Sequence, residues 1–168
     1  MTRHDAFMPQ TALAYRHTRD ERYAAKLAEI VRDFIERCPI ADAHAVADNA
    51  TTALAADEDG DGEPDRPGYA GMVWKPFCTG RRVQTWQSMF VYCRDAEAFA
   101  PEDWVAILRS VDEQVDSLVA KLPPIQNRSN HATRMGLALL DICDFWPEMA
   151  DADRWRQAAI NKLGLAYN

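Results

Sequence analysis

The apolar residues of this chain recur at every third and fourth position, and almost nowhere at every second. Trp104, Ile107, Leu108, Val111, Val115, Leu118 and Val119 form the cleanest such stripe. A half-buried strand needs alternation with period two, and no segment of strand length shows it convincingly. Proline and aspartate divide the helical stretches into pieces. These signals together predict an all-α fold of antiparallel helical hairpins joined by short loops.

Asp20 is a good helix N-cap, and Tyr23, Leu27, Ile30, Val31, Phe34 and Ile35 follow on one face until Pro39 stops the helix. A shorter helix is expected upstream at Thr11–His17, and an Ala-rich one at 41–56. The stretch DEDGDGEPDRPGYAGM (57–72) is dense in Gly and Pro and reads as a loop. Helix returns near Phe77, with Val83, Trp86, Met89, Phe90 and Cys93 on one side. Pro101 stands at a helix start, and Pro123-Pro124 ends that helix. The segment from Asn130 to Phe145 is apolar on most sides and is expected to be the most buried helix. Asp151 caps a last helix with Trp155, Ile160 and Leu163.

With 168 residues, 48% of them apolar, the chain suits a single α-helical domain (1–168) with one core. A net charge of −7 argues against a nucleic-acid binder, which needs clustered Lys and Arg. No apolar run reaches membrane-spanning length, so no membrane partner is expected. The opening MTRHDAFMPQ lacks the apolar core of a signal peptide, which leaves the compartment unknown between the cytoplasm and export by a leader outside this sequence. Cys38, Cys78, Cys93 and Cys143 show no metal-ligand spacing and read as small core hydrophobes.

Three stretches carry chemistry. Asp57, Asp59, Asp61 and Asp65 copy the alternating oxygen ligands of a calcium loop, with Gly62 at the turn. Gly68 stands where the bidentate Glu belongs, and Pro64 replaces the usual apolar residue. A solvated acidic loop is therefore favoured over a calcium site. In WKPFCTGRRVQTW, Lys75, Arg81 and Arg82 gather between Trp74 and Trp86. Aromatic faces beside guanidinium groups suit sugar rings that bear carboxylates. The plainer alternative makes Trp86 core and Gly80 a point of close helix packing. In QNRSNHATRMG, Ser129 or Asn130 caps a helix, which leaves His131 in the first turn. The positive end of the helix dipole disfavours imidazolium there, so the ring stays neutral and able to accept a proton. Backbone N–H groups at that end and the Asn130 amide can hold a carboxylate, with Arg128 and Arg134 nearby.

Several segments in order resemble one family. ALAYRHTRDERYAAKL (12–27) with IVRDFIERCP, then Trp74 and Gly80-x-Arg82-x3-Trp86, then SNHATRMGLALLDICDFWPEMADADRW (129–155), are similar to the heparinase II/III-like polysaccharide lyases over about 140 residues. The resemblance implies a catalytic (α/α) toroid followed by β-sandwich domains, cleaving uronic-acid-containing polysaccharide by β-elimination. In the alginate-lyase branch, an Asn like Asn130 neutralises the uronate carboxylate and a His like His131 serves as base. Arg82, Trp86, Trp74 and Arg134 are candidate substrate-binding residues, with Arg82 and Trp86 equally open to a structural role. No metal or organic cofactor is needed for that chemistry.

The family's catalytic Tyr belongs to a later segment, and Tyr167 does not sit in that motif. About half a toroid is therefore expected here. Its inner faces are expected to be apolar and open, inviting self-association or a further segment. Two other readings stand beside the lyase. One is a truncated, non-catalytic helical module that binds acidic glycan or a protein partner. The other is an all-α protein whose likeness is architectural only.

Overall fold

The computed structural model describes residues 3–40, 74, 76–120 and 130–167, with the side chains of 3–6, 130–132 and 165–167 outside that description. The helices are α1 (Arg3–Thr18), α2 (Glu21–Arg37), α3 (Pro76–Cys93), α4 (Pro101–Ala120), α5 (Asn130–Phe145) and α6 (Ala152–Tyr167). The expected segments at 41–56 and 57–72, including Asp57, Asp59, Asp61 and Asp65, lie outside the described residues, as does Lys75.

Short connections fold the helices into three hairpins, α1/α2, α3/α4 and α5/α6. Neighbours joined so tightly run antiparallel. α1, α3 and α5 pack side by side as one layer, and α2, α4 and α6 pack behind them as a second. The helices of the first layer therefore run parallel to one another, with their N-termini at one end.

Local signals set most of the boundaries. The Asp20 carboxylate accepts a hydrogen bond from the backbone N–H of Arg22 at 3.0 Å, and the Cys38 N–H closes α2 onto the Phe34 carbonyl. Arg19, between α1 and α2, adopts φ 56°, the left-handed turn that commonly ends a helix. At the start of α4, Asp103 accepts the Ala100 N–H at 2.8 Å and satisfies a donor that the helix cannot. α1 begins eight residues before the expected Thr11. Pro9 lies inside it, lacking an N–H and leaving the Asp5 carbonyl without its partner, yet Met8, Ala12 and Tyr15 are buried at spacings of four and three.

The core departs from the expected stripes in phase. In α2 the buried residues are Ala24, Leu27, Ala28 and Val31, while Tyr23 is exposed. In α6 the inward positions are Ala152, Trp155, Ala159 and Lys162, and Ile160 is 48% exposed. The lysine's long methylene stem suits it to that position. The most buried helix is α3, with ten of its eighteen residues buried, because it lies between α1 and α5 and rests on α4. α5, expected to hold that place, leaves Arg134, Leu137 and Asp141 exposed. The inner-layer surface is likewise not the apolar face expected of an open ring, since Arg81, Arg134 and Asp141 stand exposed on it.

Specific contacts set how the hairpins meet. The Glu21 carboxylate accepts the Tyr15 hydroxyl at 3.0 Å and the N–H groups of Glu97 and Ala98 at 3.3 Å, tying the first hairpin to the α3–α4 turn. Asp116 of α4 accepts the Trp155 indole N–H at 2.6 Å and is also paired with Arg154, both from α6. Gly136 lets α5 approach α6 so closely that an added Cβ would meet the Leu163 side chain at 2.9 Å. Cys78, Cys93 and Cys143 are buried, and burial pushes the Cys93 thiol up to about 12.

Across the second layer, Arg32 of α2 forks onto Asp103, with Nε–Oδ1 at 2.7 Å, and donates to the Ala98 carbonyl at 3.0 Å. The guanidinium holds the Asp103 carboxyl below its ordinary range. A carboxylate lowered on folding adds stability that is complete above its unfolded pKa of about 3.9 and is lost as pH falls through the folded value. Asp103→Asn is therefore expected to lower stability at neutral pH and to flatten its decline below about pH 4. Urea titrations at a series of pH values measure this, and an unchanged acid limb in the variant would contradict it.

Candidate functional site

Asn130 and His131 open α5, at the end of the inner layer where all three helix N-termini lie. Their backbone belongs to the first helical turn, and their side chains lie outside the described residues, as do Arg128 and Ser129. Helix N-termini leave N–H groups unpaired and carry positive potential of roughly half a charge each. One turn further on, Arg134 is exposed. It shares a groove of ≈ 380 Å³ with Arg81 and Gln84 of α3 and with Phe77 and Leu137. Gly80 and Ala138 form the floor, where α3 and α5 come close: a Cβ on Gly80 would sit 3.4 Å from that of Ala138. The Gln84 amide donates to Asp141 at 3.1 Å and fixes the two helices in register. The side chains of Arg81 and Arg134 have no ion-pair or hydrogen-bond partner among the described residues.

The other candidates lie elsewhere. Trp74, Arg82 and Trp86 are 3%, 3% and 2% exposed. The Arg82 guanidinium carbon stands 4.3 Å from the Phe34 ring centroid and 5.1 Å from that of Trp74. Its Nε donates to Gln114 at 2.6 Å, and Gln114 donates on to Ser110 at 3.1 Å. Trp86 meets Phe34 edge-on at 5.6 Å. With ring faces and guanidinium enclosed by protein, the expected sugar contacts of Trp74, Arg82 and Trp86 give way to packing that joins α2, α3 and α4. Helical phase could have shown this. Arg82, Trp86, Met89 and Cys93 are spaced by four, three and four, which puts Arg82 on the buried face. Arg81 belongs to the opposite stripe with Phe77, Gln84, Ser88 and Val91.

Among the described residues, no cluster of His, Cys, Asp or Glu could hold a metal ion. Within the same residues, no helix is long and apolar enough to cross a membrane.

An all-helical double layer whose parallel inner helices present their N-termini beside exposed arginines is the architecture of one part of a helical toroid. Comparison with known proteins agrees. The model of the heparinase II/III N-terminus family matches residues 1–166, and the chain belongs to that family. It is similar to a heparin-sulfate lyase of Bacteroides stercoris, 24% identical over 166 residues that cover 99% of this chain and 23% of the relative. Its fold is similar to the crystal structure of the heparan sulfate lyase HepC from Pedobacter heparinus, at TM-score 0.71 and 25% identity, covering 95% of this chain and 21% of that one. A heparinase III structure superposes equally well at 20% identity. The chain thus spans between a fifth and a quarter of the length of these relatives.

Adjacent arginines on opposite faces of α3 lead to contrasting outcomes. Arg82→Ala leaves Gln114 without its donor and opens a cavity, at an expected cost of about 3 kcal/mol, and Arg82→Lys, which cannot stack a planar fork, recovers only part of it. Arg81→Ala is expected to change stability by less than about 0.5 kcal/mol. Equal effects in chemical denaturation would show that the two faces are misassigned.

Proposed function

We propose that this chain forms part of the catalytic toroid of a polysaccharide lyase acting on a uronic-acid-containing polysaccharide of the heparan sulfate kind, with residues 1–168 as a single helical unit. Asn130 binds the uronate carboxylate, His131 is the base or its assistant, and Arg134 with Arg81 supplies positive charge at the substrate's acidic groups. The observation that carries this reading is the position of Asn130 and His131 in the first turn of α5, at the head of a groove containing two exposed arginines.

The chemistry follows from that position. The proton alpha to a carboxylate is very weakly acidic, and its removal places negative charge on the carboxylate oxygens. An amide donor, helix N–H groups and guanidinium stabilise this charge more than the ground state, which lowers the barrier. A neutral imidazole takes the proton, the bond to the leaving oxygen breaks to form an unsaturated uronate, and that oxygen collects a proton from an acid. Only the neutral form of an imidazole can accept that proton.

The test uses the full natural protein with heparan sulfate and alginate, followed by the ultraviolet absorbance of the unsaturated product. His131→Ala is expected to reduce turnover by about 10²-fold or more, within the usual range for loss of a general base. Asn130→Ala should also lower turnover, through loss of the carboxylate donor. Wild-type turnover in the His131 variant would sink the assignment. Saturable glycan binding without any unsaturated product would identify a non-catalytic binding module instead.

A further inference from the structure

We propose that Gly136 of α5 and Leu163 of α6 are positioning residues, whose contact is the seat that sets where the first turn of α5, with Asn130 and His131, stands. The proposal rests on the functional reading above and adds to it the contact that holds the reacting pair in place.

Gly136 lies six residues beyond Asn130, about 9 Å along the helix axis. It is buried, and Leu163 lies directly over it. A Cβ on Gly136 would meet Leu163 Cγ at 2.9 Å, Cδ2 at 3.0 Å and Cδ1 at 3.4 Å. Ordinary carbon contacts are about 3.5–4.0 Å, so α5 rests on α6 more closely than a side chain would allow. Glycine weakens a helix interior, and the close approach is what it gains here. Ala138, two residues on, is turned by about 200° and lies on the other side of α5. There a Cβ on Gly80 would come within 3.4 Å of it. The helix is thereby held from both sides within two residues, by α6 at Gly136 and by α3 at Ala138.

The far end of α5 is fastened by polar bonds in the same register. Cys143 and Arg156 stand seven residues from Gly136 and Leu163 respectively. Arg156 donates to the Cys143 carbonyl at 3.1 Å and to the Asp144 carboxylate at 3.0 Å. Gln84 of α3 holds Asp141 at 3.1 Å. Gly136→Ala therefore leaves that end tied and forces a shift of roughly 0.5–1 Å at the seat. Motion straight towards α3 cannot absorb it, because Ala138 already lies against Gly80. The helix must tilt about its fastened end, and the displacement grows towards the first turn. Reacting groups tolerate little of this, since a misplacement of about 1 Å costs up to about a hundredfold in rate. The buried Gly136 thus governs turnover through the place of Asn130 and His131, without meeting substrate itself.

The test measures kcat and KM of the full natural protein on heparan sulfate for Gly136→Ala, Leu163→Ala and the double variant. Gly136→Ala is expected to lower kcat about tenfold or more with KM within about twofold, because Arg81 and Gln84 stand on α3 and keep their places. Leu163→Ala removes the seat from the other side and should lower kcat several-fold. In the double variant the three crowding atoms of Leu163 are gone, and the added methyl fills part of their space. Its kcat should therefore return to within about threefold of wild type. Its thermal midpoint should stay below that of wild type, because the packing of Leu163 is lost. A purely structural role would make activity follow stability instead. Wild-type kcat in both single variants, or losses that simply multiply in the double variant, would overturn the seat. If Gly136→Ala fails to fold, the double variant must still turn over faster than Leu163→Ala, and a slower one would count against the seat equally. Wild-type turnover in His131→Ala, or no product from wild type, would sink the catalytic reading and the seat with it. Turnover lost in His131→Ala but uncoupled at positions 136 and 163 would sink the seat alone.

Discussion

Arg82 is a charge in a protein interior, and the arrangement of the hairpins follows from how it is accommodated. Its planar guanidinium lies against the rings of both Phe34 and Trp74, and its Nε is bonded to Gln114. One side chain of α3 thereby joins the end of α2, the turn at Trp74 and the middle of α4. An ammonium group could not stack in this way. A buried ion contributes little net stability, but it fixes one arrangement, since any shift of α3 strips it of partners. With α3 fixed, the stripe containing Arg81 and Gln84 must face outward.

The outward stripe gains its character from helix direction. Three parallel helices bring their N-termini to one end, and the pair Asn130–His131 lies there because α5 begins at that residue. This local gathering of positive potential stands within a chain whose net charge is −7. Attraction of an acidic glycan depends on the field at the groove, not on the sum over the chain.

Much of the architecture was legible in the sequence because helix ends and apolar period are local properties. Asp20, Pro39, Pro101 and Asp151 mark ends that the structure keeps within a residue or two. What the sequence withheld was tertiary. The first helix was expected only at Thr11–His17, but packing of Met8, Ala12 and Tyr15 carries α1 through Pro9. Ile160 reads as core, but the neighbours of α6 leave it exposed and bury Lys162. Apolar content pointed to α5 as the central helix, although position between two neighbours, not composition, makes α3 central. The place of the Asn-His pair at a helix start was legible, and α5 begins at Asn130. Arg82 was equally open to a sugar-binding and a structural role, and its burial favours the structural one; motif resemblance carries no helical phase, and it is the neighbouring Arg81 that is exposed.

The middle hairpin, α3/α4, packs against both of the others, and the Asp116–Trp155 and Glu21–Ala98 bonds fasten each outer hairpin to it. Such a chain of units behaves like a row of coupled repeats, in which stability is the sum of each unit and its shared borders. The middle hairpin shares a border with each of the others, and both borders must open before α3 is released, so its backbone amides are expected to exchange slowly. The stripe of Arg81, Gln84 and Ser88 thus stands on a helix held from two sides, so that surface is ordered in advance of anything that meets it.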